Sequence, residues 1–282
     1  MTRNLVALGG LVLTSLFSGC TVVVGNGNVV DQPREVSGSF TKVVVAGQVD
    51  VAVTYAAASS VVVSIDSNLQ EYVTVEVREG TLTIAERPNT NLRPKQGSKV
   101  RVAMPELDGA TVSGSAEMSI SGLSGGQAFS ASVSGSGNLS GAGLSGVQTL
   151  TADVSGSGDL SVSDLTGVQT LSATVTGSGD VSVSGLTGCQ SFTANVSGSG
   201  NLTASGSGTS CSVDVSGSGN VRAKEYGCTD AIVSVSGSGD AVVNASATVS
   251  VTLSGSGNLD LWGSATIVNR SVVGTGEVIR HP

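Results

Sequence analysis

The sequence is poor in the residue types that most catalytic and binding sites use. Aromatic residues make up 3% of its 282 residues and charged residues 12%, and its single histidine, His281, is next to last. A Ser-His nucleophile is therefore not expected despite the many serines. No Lys or Arg lies between Arg101 and Arg222, and the net charge is −8. Proteins that bind nucleic acid need clustered cations, so we predict no nucleic-acid partner.

What the chain has in abundance is glycine, with 40 residues, many of them in one recurring motif. The motif reads Val-Ser-Gly-Ser-Gly followed by Asn or Asp. The first glycine of each copy recurs every 18 to 21 residues, at Gly114, Gly135, Gly156, Gly177, Gly198, Gly217, Gly237, Gly255 and Gly274. A period near twenty predicts a solenoid. No helical pattern follows the glycines, so they are not a phosphate-binding loop, and no cofactor is predicted.

Around each motif, apolar and polar residues alternate. The positions six, four and two before the first glycine are apolar, as in Leu150, Ala152 and Val154, and polar residues lie between them. A period of two is typical of a strand with one buried face. Glycine at the corner is expected to supply a positive φ. The repeat thus predicts an all-β fold, a single-stranded parallel β-helix with about nine C-terminal coils of 18 to 21 residues. The coiling is expected to be right-handed.

We divide the chain into a signal peptide (1–20), an N-terminal β part of the helix (21–110) and the repeat region (111–282). The middle part alternates clearly in stretches such as Val49–Val53 and Val73–Val77, and residues 86–99 are predicted to be a loop. That loop and its flank carry Arg87, Arg93, Lys95, Lys99 and Arg101. They are either a solvated surface or a contact for an acidic polymer or lipid headgroups.

The N-terminus has the features of a lipoprotein leader. Arg3 precedes an apolar run from Leu5 to Phe17, and Ser18-Gly19 precede Cys20. This resembles a bacterial lipobox, which implies lipidation of Cys20, and Thr21 after it points to the outer membrane in a diderm host. An ordinary secretory signal is the alternative.

Three further cysteines follow, so at least one thiol is unpaired. Cys189 and Cys228 occupy equivalent places two coils apart, about 9.6 Å, too far for a disulfide. Cys211 occupies a core position, where a buried, inert thiol is expected.

One row of polar residues is the best candidate for a surface site. In seven of the nine copies the residue three after the first glycine is Asn or Asp, and in the two end copies it is Glu117 or Glu277. The row should therefore form a ladder along one corner: Asn138, Asp159, Asp180, Asn201, Asn220, Asp240 and Asn258. Such residues cap turns and form amide ladders, which is the structural interpretation. The functional alternatives are cation or sugar binding, or a glycosidase pair at Asp159 and Asp180. Isolated carboxylates on a smooth stack fit a metal or catalytic site poorly, so no metal and no catalytic residue is predicted.

Several motifs outside the ladder resemble a known family. They include Gly25-Asn26-Gly27-Asn28-Val29, the stretch from Phe40 to Gly47, and Gly80-Thr81-Leu82-Thr83-Ile84, and the Ser-Gly-Ser-Gly repeats follow them. Together these resemble the "putative autotransporter adhesin, head GIN domain" family over about residues 25 to 280. The resemblance implies a secreted or lipid-anchored β-helical envelope protein and brings no catalytic residues with it.

The sequence therefore favours a non-enzymatic envelope lipoprotein with an adhesion or scaffold role. A membrane would hold its lipid anchor, and a surface glycan or an envelope protein would be its partner. A carbohydrate-active enzyme on the same scaffold is the alternative.

Overall fold

The computed structural model describes residues 20–122 and 126–282. The predicted signal peptide lies outside these residues except for its last member, Cys20, which is exposed. No helix in the described part of the chain has the length and apolar character needed to cross a bilayer.

The described chain is built from strands and one short 3-10 turn, Gln70–Tyr72. The strands before the repeat region are β1 (Thr21–Val24), β2 (Val29–Arg34), β3 (Lys42–Ala46), β4 (Asp50–Tyr55), β5 (Ser60–Asp66), β6 (Val73–Arg78), β7 (Thr81–Glu86), β8 (Thr90–Arg93) and β9 (Lys99–Met104). Those of the repeat region are β10 (Gly109–Val112), β11 (Glu117–Ser121), β12 (Ala128–Val133), β13 (Asn138–Ala142), β14 (Thr149–Val154), β15 (Leu160–Ser163), β16 (Thr170–Val175), β17 (Val181–Val196), β18 (Leu202–Val215), β19 (Val221–Val235), β20 (Ala241–Leu253), β21 (Leu259–Trp262), β22 (Thr266–Val272) and β23 (Val278–Arg280).

Two long parallel sheets face each other across a shared core. Sheet 1 begins in the order β7-β3-β10-β12-β14-β16. It continues through the second halves of β17, β18, β19 and β20 and ends at β22. Sheet 2 begins in the order β9-β4-β11-β13-β15. It continues through the first halves of β17, β18, β19 and β20 and ends with β21 and β23. Each coil passes from sheet 1 through the glycine corner to sheet 2, then bends back. The predicted parallel β-helix is confirmed, with about eight turns of stacked coil.

The inward positions are the ones that the alternation predicted. Leu150, Ala152 and Val154 are at most 1% exposed, and their partners in the next coil, Leu171, Ala173 and Val175, are completely buried. Parallel register places identical residue types above one another, so one apolar row continues from coil to coil. No single coil can remove these side chains from water, and the stack can.

The corner glycines have a different role from the predicted one. Gly114, Gly135 and Gly156 do not have positive φ values; glycines with positive φ lie mostly in other turns, such as Gly143 and Gly167. A Cβ at Gly156 would instead lie within 3.0 Å of the backbone of Gly135 in the preceding coil. The prediction of a positive φ was wrong at every corner glycine except Gly274, whose φ is 123°. Glycine is required there because backbone packs directly on backbone.

The N-terminal part caps the stack, and its strands do not follow chain order. The coil made by β3 and β4 lies between the coil of β7 and β9 and the first repeat coil. Beyond the end coil, β6 adds antiparallel to β7 and β5 adds antiparallel to β9, with β2 outside β5. These antiparallel strands cover parallel edges that would otherwise be open to pairing.

Two of these strands were absent from the sequence-based prediction. Residues 86–99 were predicted to be a loop, yet Thr90–Arg93 forms β8, which pairs in parallel with β1. Val29–Arg34 forms β2 in spite of Pro33, and an edge strand tolerates proline because its outer N–H groups are not needed.

Candidate functional site

The Asn and Asp row lies along the start of sheet 2 and is joined by hydrogen bonds from coil to coil. The side-chain oxygen of Asn138 accepts the backbone N–H of Asp159 at 2.9 Å, and Asp159 does the same for Asp180 at 2.9 Å. The pattern continues through Asp180 to Asn201, Asn220 to Asp240, Asp240 to Asn258, and Asn258 to Glu277. Between Asn201 and Asn220 the link is made by the two side-chain amides, at 2.9 Å.

This geometry gives the row a structural function. One oxygen of each linking side chain satisfies a backbone N–H that the sharp corner leaves outside the sheet ladder. The second carboxylate oxygen of Asp159 and of Asp180 stays at the surface, where both residues are exposed. Within residues 20–122 and 126–282 no group of three or more His, Cys, Asp or Glu is arranged to hold a metal ion. Only the Asp members of the ladder therefore have a further carboxylate oxygen for a ligand, because the single side-chain oxygen of each Asn is already engaged.

Asp180→Ala is expected to lower the free energy of unfolding by about 0.5 to 1.5 kcal/mol, since water can reach the exposed groups that lose their acceptor. The variant leaves the backbone N–H of Asn201 and its side-chain amide, 2.7 and 3.0 Å from the Asp180 carboxylate, without that acceptor. Asp180→Asn is the matched control because it keeps the acceptor oxygen, and it should unfold close to wild type. Chemical denaturation followed by circular dichroism checks both; equal stability of the alanine variant and wild type would contradict the capping role.

The outer surface has shallow depressions near its N-terminal end. One, of about 290 Å³, is lined by Asp50, Lys99, Glu117 and Asn138. It therefore places one cation and two carboxylates beside Asn138, the first residue of the ladder. The Asp50 carboxylate there accepts the backbone N–H of Glu117 at 2.9 Å. Another, of about 420 Å³, lies over sheet 1 beside Lys42 and Asp108. Such open surfaces can hydrogen-bond a hydroxyl-rich ligand.

The three repeat-region cysteines come together inside the stack with Tyr226. Cys189, Cys211 and Cys228 are buried free thiols, in agreement with the expectation that Cys189 and Cys228 do not pair. A hydrogen bond with Cys228, together with burial, raises the pKa of the Cys211 thiol. Burial also raises the pKa of Tyr226, whose ring packs 4.9 Å from that of Phe192.

Tyr226 fills the space that a glycine in the adjacent coil leaves open. A Cβ at Gly208 would collide with the Tyr226 hydroxyl. That hydroxyl is fully buried and has no well-formed hydrogen bond within the described residues; it lies against the Cys189 thiol. The apolar repeat pattern gave no sign of this pairing, because the large residue and the missing side chain lie in different coils.

Tyr226→Phe is expected to keep or raise stability, by up to about 1 kcal/mol. The substitution removes a buried hydroxyl that lacks a good partner and keeps the ring. Tyr226→Ala, by contrast, should cost about 3 to 5 kcal/mol because it leaves a cavity beneath Gly208. Thermal melting compares the two, and a Phe variant that melted as low as the Ala variant would show that the hydroxyl is satisfied.

A buried carboxylate organises the N-terminal cap. Asp66 has no exposed surface, and it accepts the backbone N–H of Gly27 and, at 2.9 Å, that of Lys95. A Cβ at Gly25 would collide with the Asp66 carboxylate. The Gly-Asn-Gly-Asn motif is therefore the part of the chain that wraps this side chain.

Asp66→Ala is expected to destabilise the cap by about 2 kcal/mol or more, since it leaves the N–H groups of Gly27 and Lys95 without their acceptor. Hydrogen exchange measured by mass spectrometry should show faster exchange in residues 20–35 and 87–98 and unchanged exchange in β14 to β18. Unchanged exchange in the cap would contradict this role. Asn68→Ala, which removes exposed bonds to Asn26 and Val24, is the milder control.

The five cations of the 87–101 segment have different environments. Arg101 pairs with Asp31 at 2.5 Å, and Arg87 lies over the Tyr72 ring and 3.7 Å from Glu71. Lys99 faces the depression at the ladder end. Arg93 and Lys95 are exposed and form no ion pair with any described residue.

The last two coils share an aromatic stack that the sequence did not reveal. The Trp262 and His281 rings stack with centroids 4.3 Å apart, and the Lys224 ammonium lies 3.8 Å from the Trp262 centroid on an earlier coil. His281 also contacts Asp260 at 2.6 Å. Arg280 donates a hydrogen bond to the Ala265 carbonyl at 2.6 Å.

Comparison with known proteins places this architecture in a family. The sequence profile of the family described as "putative auto-transporter adhesin, head GIN domain" matches residues 39–191 and, in a second overlapping match, 153–265. The chain belongs to this head GIN domain family. The matched region contains both long sheets except for the last coil, so the family assignment and the solenoid describe the same part of the chain. The motif at Gly25–Val29 lies outside it.

Solved structures share the head GIN fold of this chain. A "putative lipid binding protein" from Parabacteroides distasonis superposes with a TM-score of 0.69 at 24% identity, covering 93% of this chain and 100% of its own. A "putative adhesin" from the same species gives 0.67 at 22% identity, covering 92% and 100%. Another from Parabacteroides merdae gives 0.57 at 17% identity, covering 93% and 100%. At these identities the likeness shows the fold alone. No protein of curated function matches the chain.

Proposed function

We propose that the chain is a non-enzymatic lipoprotein of the cell envelope, anchored to the outer membrane through Cys20, whose β-helix displays a polar surface for adhesion or scaffolding. The observation that carries the proposal is the arrangement of the molecule itself. Cys20 is exposed and leads directly into β1 of the cap, and the repeat coils follow as one rigid stack with polar residues outside. Membership of an adhesin-described family supports a surface or envelope location.

The ligand of this surface is proposed to be a glycan or an envelope protein. The serine hydroxyls of the corners and the free oxygens of the ladder form parallel rows, which suit repeated hydrogen bonding to a polymer. One structural neighbour is described as a lipid-binding protein and another as an adhesin, and both descriptions fit a molecule that works at a membrane surface.

Two measurements test the proposal. Cells that make the full chain should incorporate an alkyne-labelled fatty acid into it and carry it in the outer-membrane fraction, and Cys20→Ala should abolish both. The purified chain should bind members of a glycan array or an envelope-protein panel and leave polysaccharides uncleaved. Absence of label from the wild-type chain, or turnover of a polysaccharide, would overturn the corresponding part.

A further inference from the structure

The strand that follows Cys20 in sequence, β1, pairs with β8 to form a small two-stranded sheet. The outer face of this sheet carries exposed apolar side chains. Register pairs Val23 with Leu92, which both point to the core, and Val24 with Arg93. The outward residues of β1 are Val22 and Val24, with 52% and 56% of their surface exposed. Val22 and Val24 lie two residues apart on the same face of β1, so together they form a small exposed apolar surface.

Two segments of the cap are locally cationic, although the N-terminal part as a whole (21–110) contains eight Lys or Arg and ten Asp or Glu. Residues 20–30 and 87–105 contain five cations and no Asp or Glu, whereas the full chain has a net charge of −8. Two of the cations, Arg87 and Arg101, are paired with Glu71 and Asp31. Arg93 and Lys95 remain exposed without an ion pair in the described chain, and Arg93 lies beside Val24.

β1 is held firmly in the cap and cannot act as a loose linker. Its Thr21 N–H donates to the Asn89 carbonyl at 2.8 Å, and Gly25 donates to the Arg93 carbonyl at 2.9 Å. The Asn68 amide, just beyond the end of β5, donates to the Val24 carbonyl at 2.9 Å. Since no spacer separates Cys20 from this sheet, an acyl chain on Cys20 would bring Val22, Val24 and Arg93 to the lipid surface.

We propose that the β1–β8 face of the cap, made of Val22, Val24 and Arg93, docks with the exposed Lys95 two residues beyond it on the headgroup layer of an anionic phospholipid membrane. Exposed apolar side chains beside unpaired cations are the combination that binds such an interface. The acidic repeat coils then project from a seated cap. This inference rests on the proposed anchoring through Cys20 and deepens it, since a single acyl chain holds a protein only marginally and a second attachment makes the hold stable.

The test supplies the acyl chain chemically, so it does not depend on lipidation in cells. The chain from Cys20 onward contains every strand and core residue that the structure describes, and Cys20 is its exposed thiol, the three other cysteines being buried. One myristoyl-maleimide is coupled to Cys20, and partitioning is measured by flotation with vesicles of phosphatidylcholine, alone or with about a third phosphatidylglycerol. Near an anionic surface each cation contributes roughly a fivefold gain in binding. We expect the wild type to partition at least about tenfold better into the anionic vesicles.

Two double variants with the same change in net charge distinguish binding by the cap from an effect of the total charge of the protein. Arg93→Glu/Lys95→Glu should lower partitioning into anionic vesicles by about 25-fold or more. Arg222→Glu/Arg270→Glu changes the net charge by the same amount in exposed residues of later coils and should change it less than about twofold. Equal losses in both double variants, or equal wild-type binding to neutral and anionic vesicles, would overturn the docking proposal. Failure of Cys20 acylation in cells would instead overturn the anchor and leave this result standing.

Discussion

Gly156→Ala is expected to destabilise the solenoid by about 3 kcal/mol or more, although it adds a single methyl group. The new Cβ would lie within 3.0 Å of the Gly135 carbonyl oxygen and of the Ser134 backbone in the preceding coil. That carbonyl already accepts the N–H groups of Ser157 and Gly158, at 3.0 and 3.2 Å. The obstacle is backbone, which cannot rotate away as a side chain would. The coils would have to separate, which weakens these hydrogen bonds and the core contacts beside them.

Gly227→Ala is the matched control for this prediction. Gly227 also lies within the stack, in β19, but its added Cβ would have no heavy atom within 4 Å, and its φ is not positive. Alanine there should be neutral or stabilise by up to about 1 kcal/mol, because it reduces the conformational freedom of the unfolded chain. Thermal unfolding followed by far-ultraviolet circular dichroism compares the two. Equal melting temperatures would contradict the backbone-stacking role of the corner.

The repeat allowed the fold of residues 111–282 to be predicted because the information is local and periodic. Alternation within one coil identified Leu171, Ala173 and Val175 as inward, and the period made them stack. The reason for the corner glycines was not local. It depends on how closely two coils approach, which a single coil does not contain. The same limit hid Tyr226, since its space is created by Gly208 one coil away.

The cap was harder to predict because its strands pair antiparallel, out of chain order, and without a repeat. β2 contains Pro33, and β8 lies among prolines and asparagines that locally favour turns. The candidate site, too, was predicted only in part. Spacing placed Asn138, Asp159 and Asp180 in one row, but the acceptance of backbone N–H groups by their oxygens follows from the coil-to-coil register. The cation pairings of the 87–101 segment, which leave Arg93 and Lys95 exposed, depend on partners such as Asp31 and Glu71 that lie far away in sequence.

Val175→Asp is expected to cost several kcal/mol and to unfold the central coils first. Val175 has no exposed surface, and it is paired in register with Val154 and Val196, both at most 1% exposed, so a carboxylate there would have neither water nor a cation beside it. Thr170→Asp, five residues earlier on the same strand, places the same charge on an exposed residue between Thr149 and Ser191 and should change stability by less than about 0.5 kcal/mol. Urea denaturation at neutral pH measures both variants, and at pH 3 the cost at Val175 should shrink because the carboxyl is then mostly neutral. A Val175→Asp protein that unfolded at the same urea concentration as Thr170→Asp would mean that the strand presents its other face to the core. In that case the row of valines running from coil to coil would not be what holds the stack together.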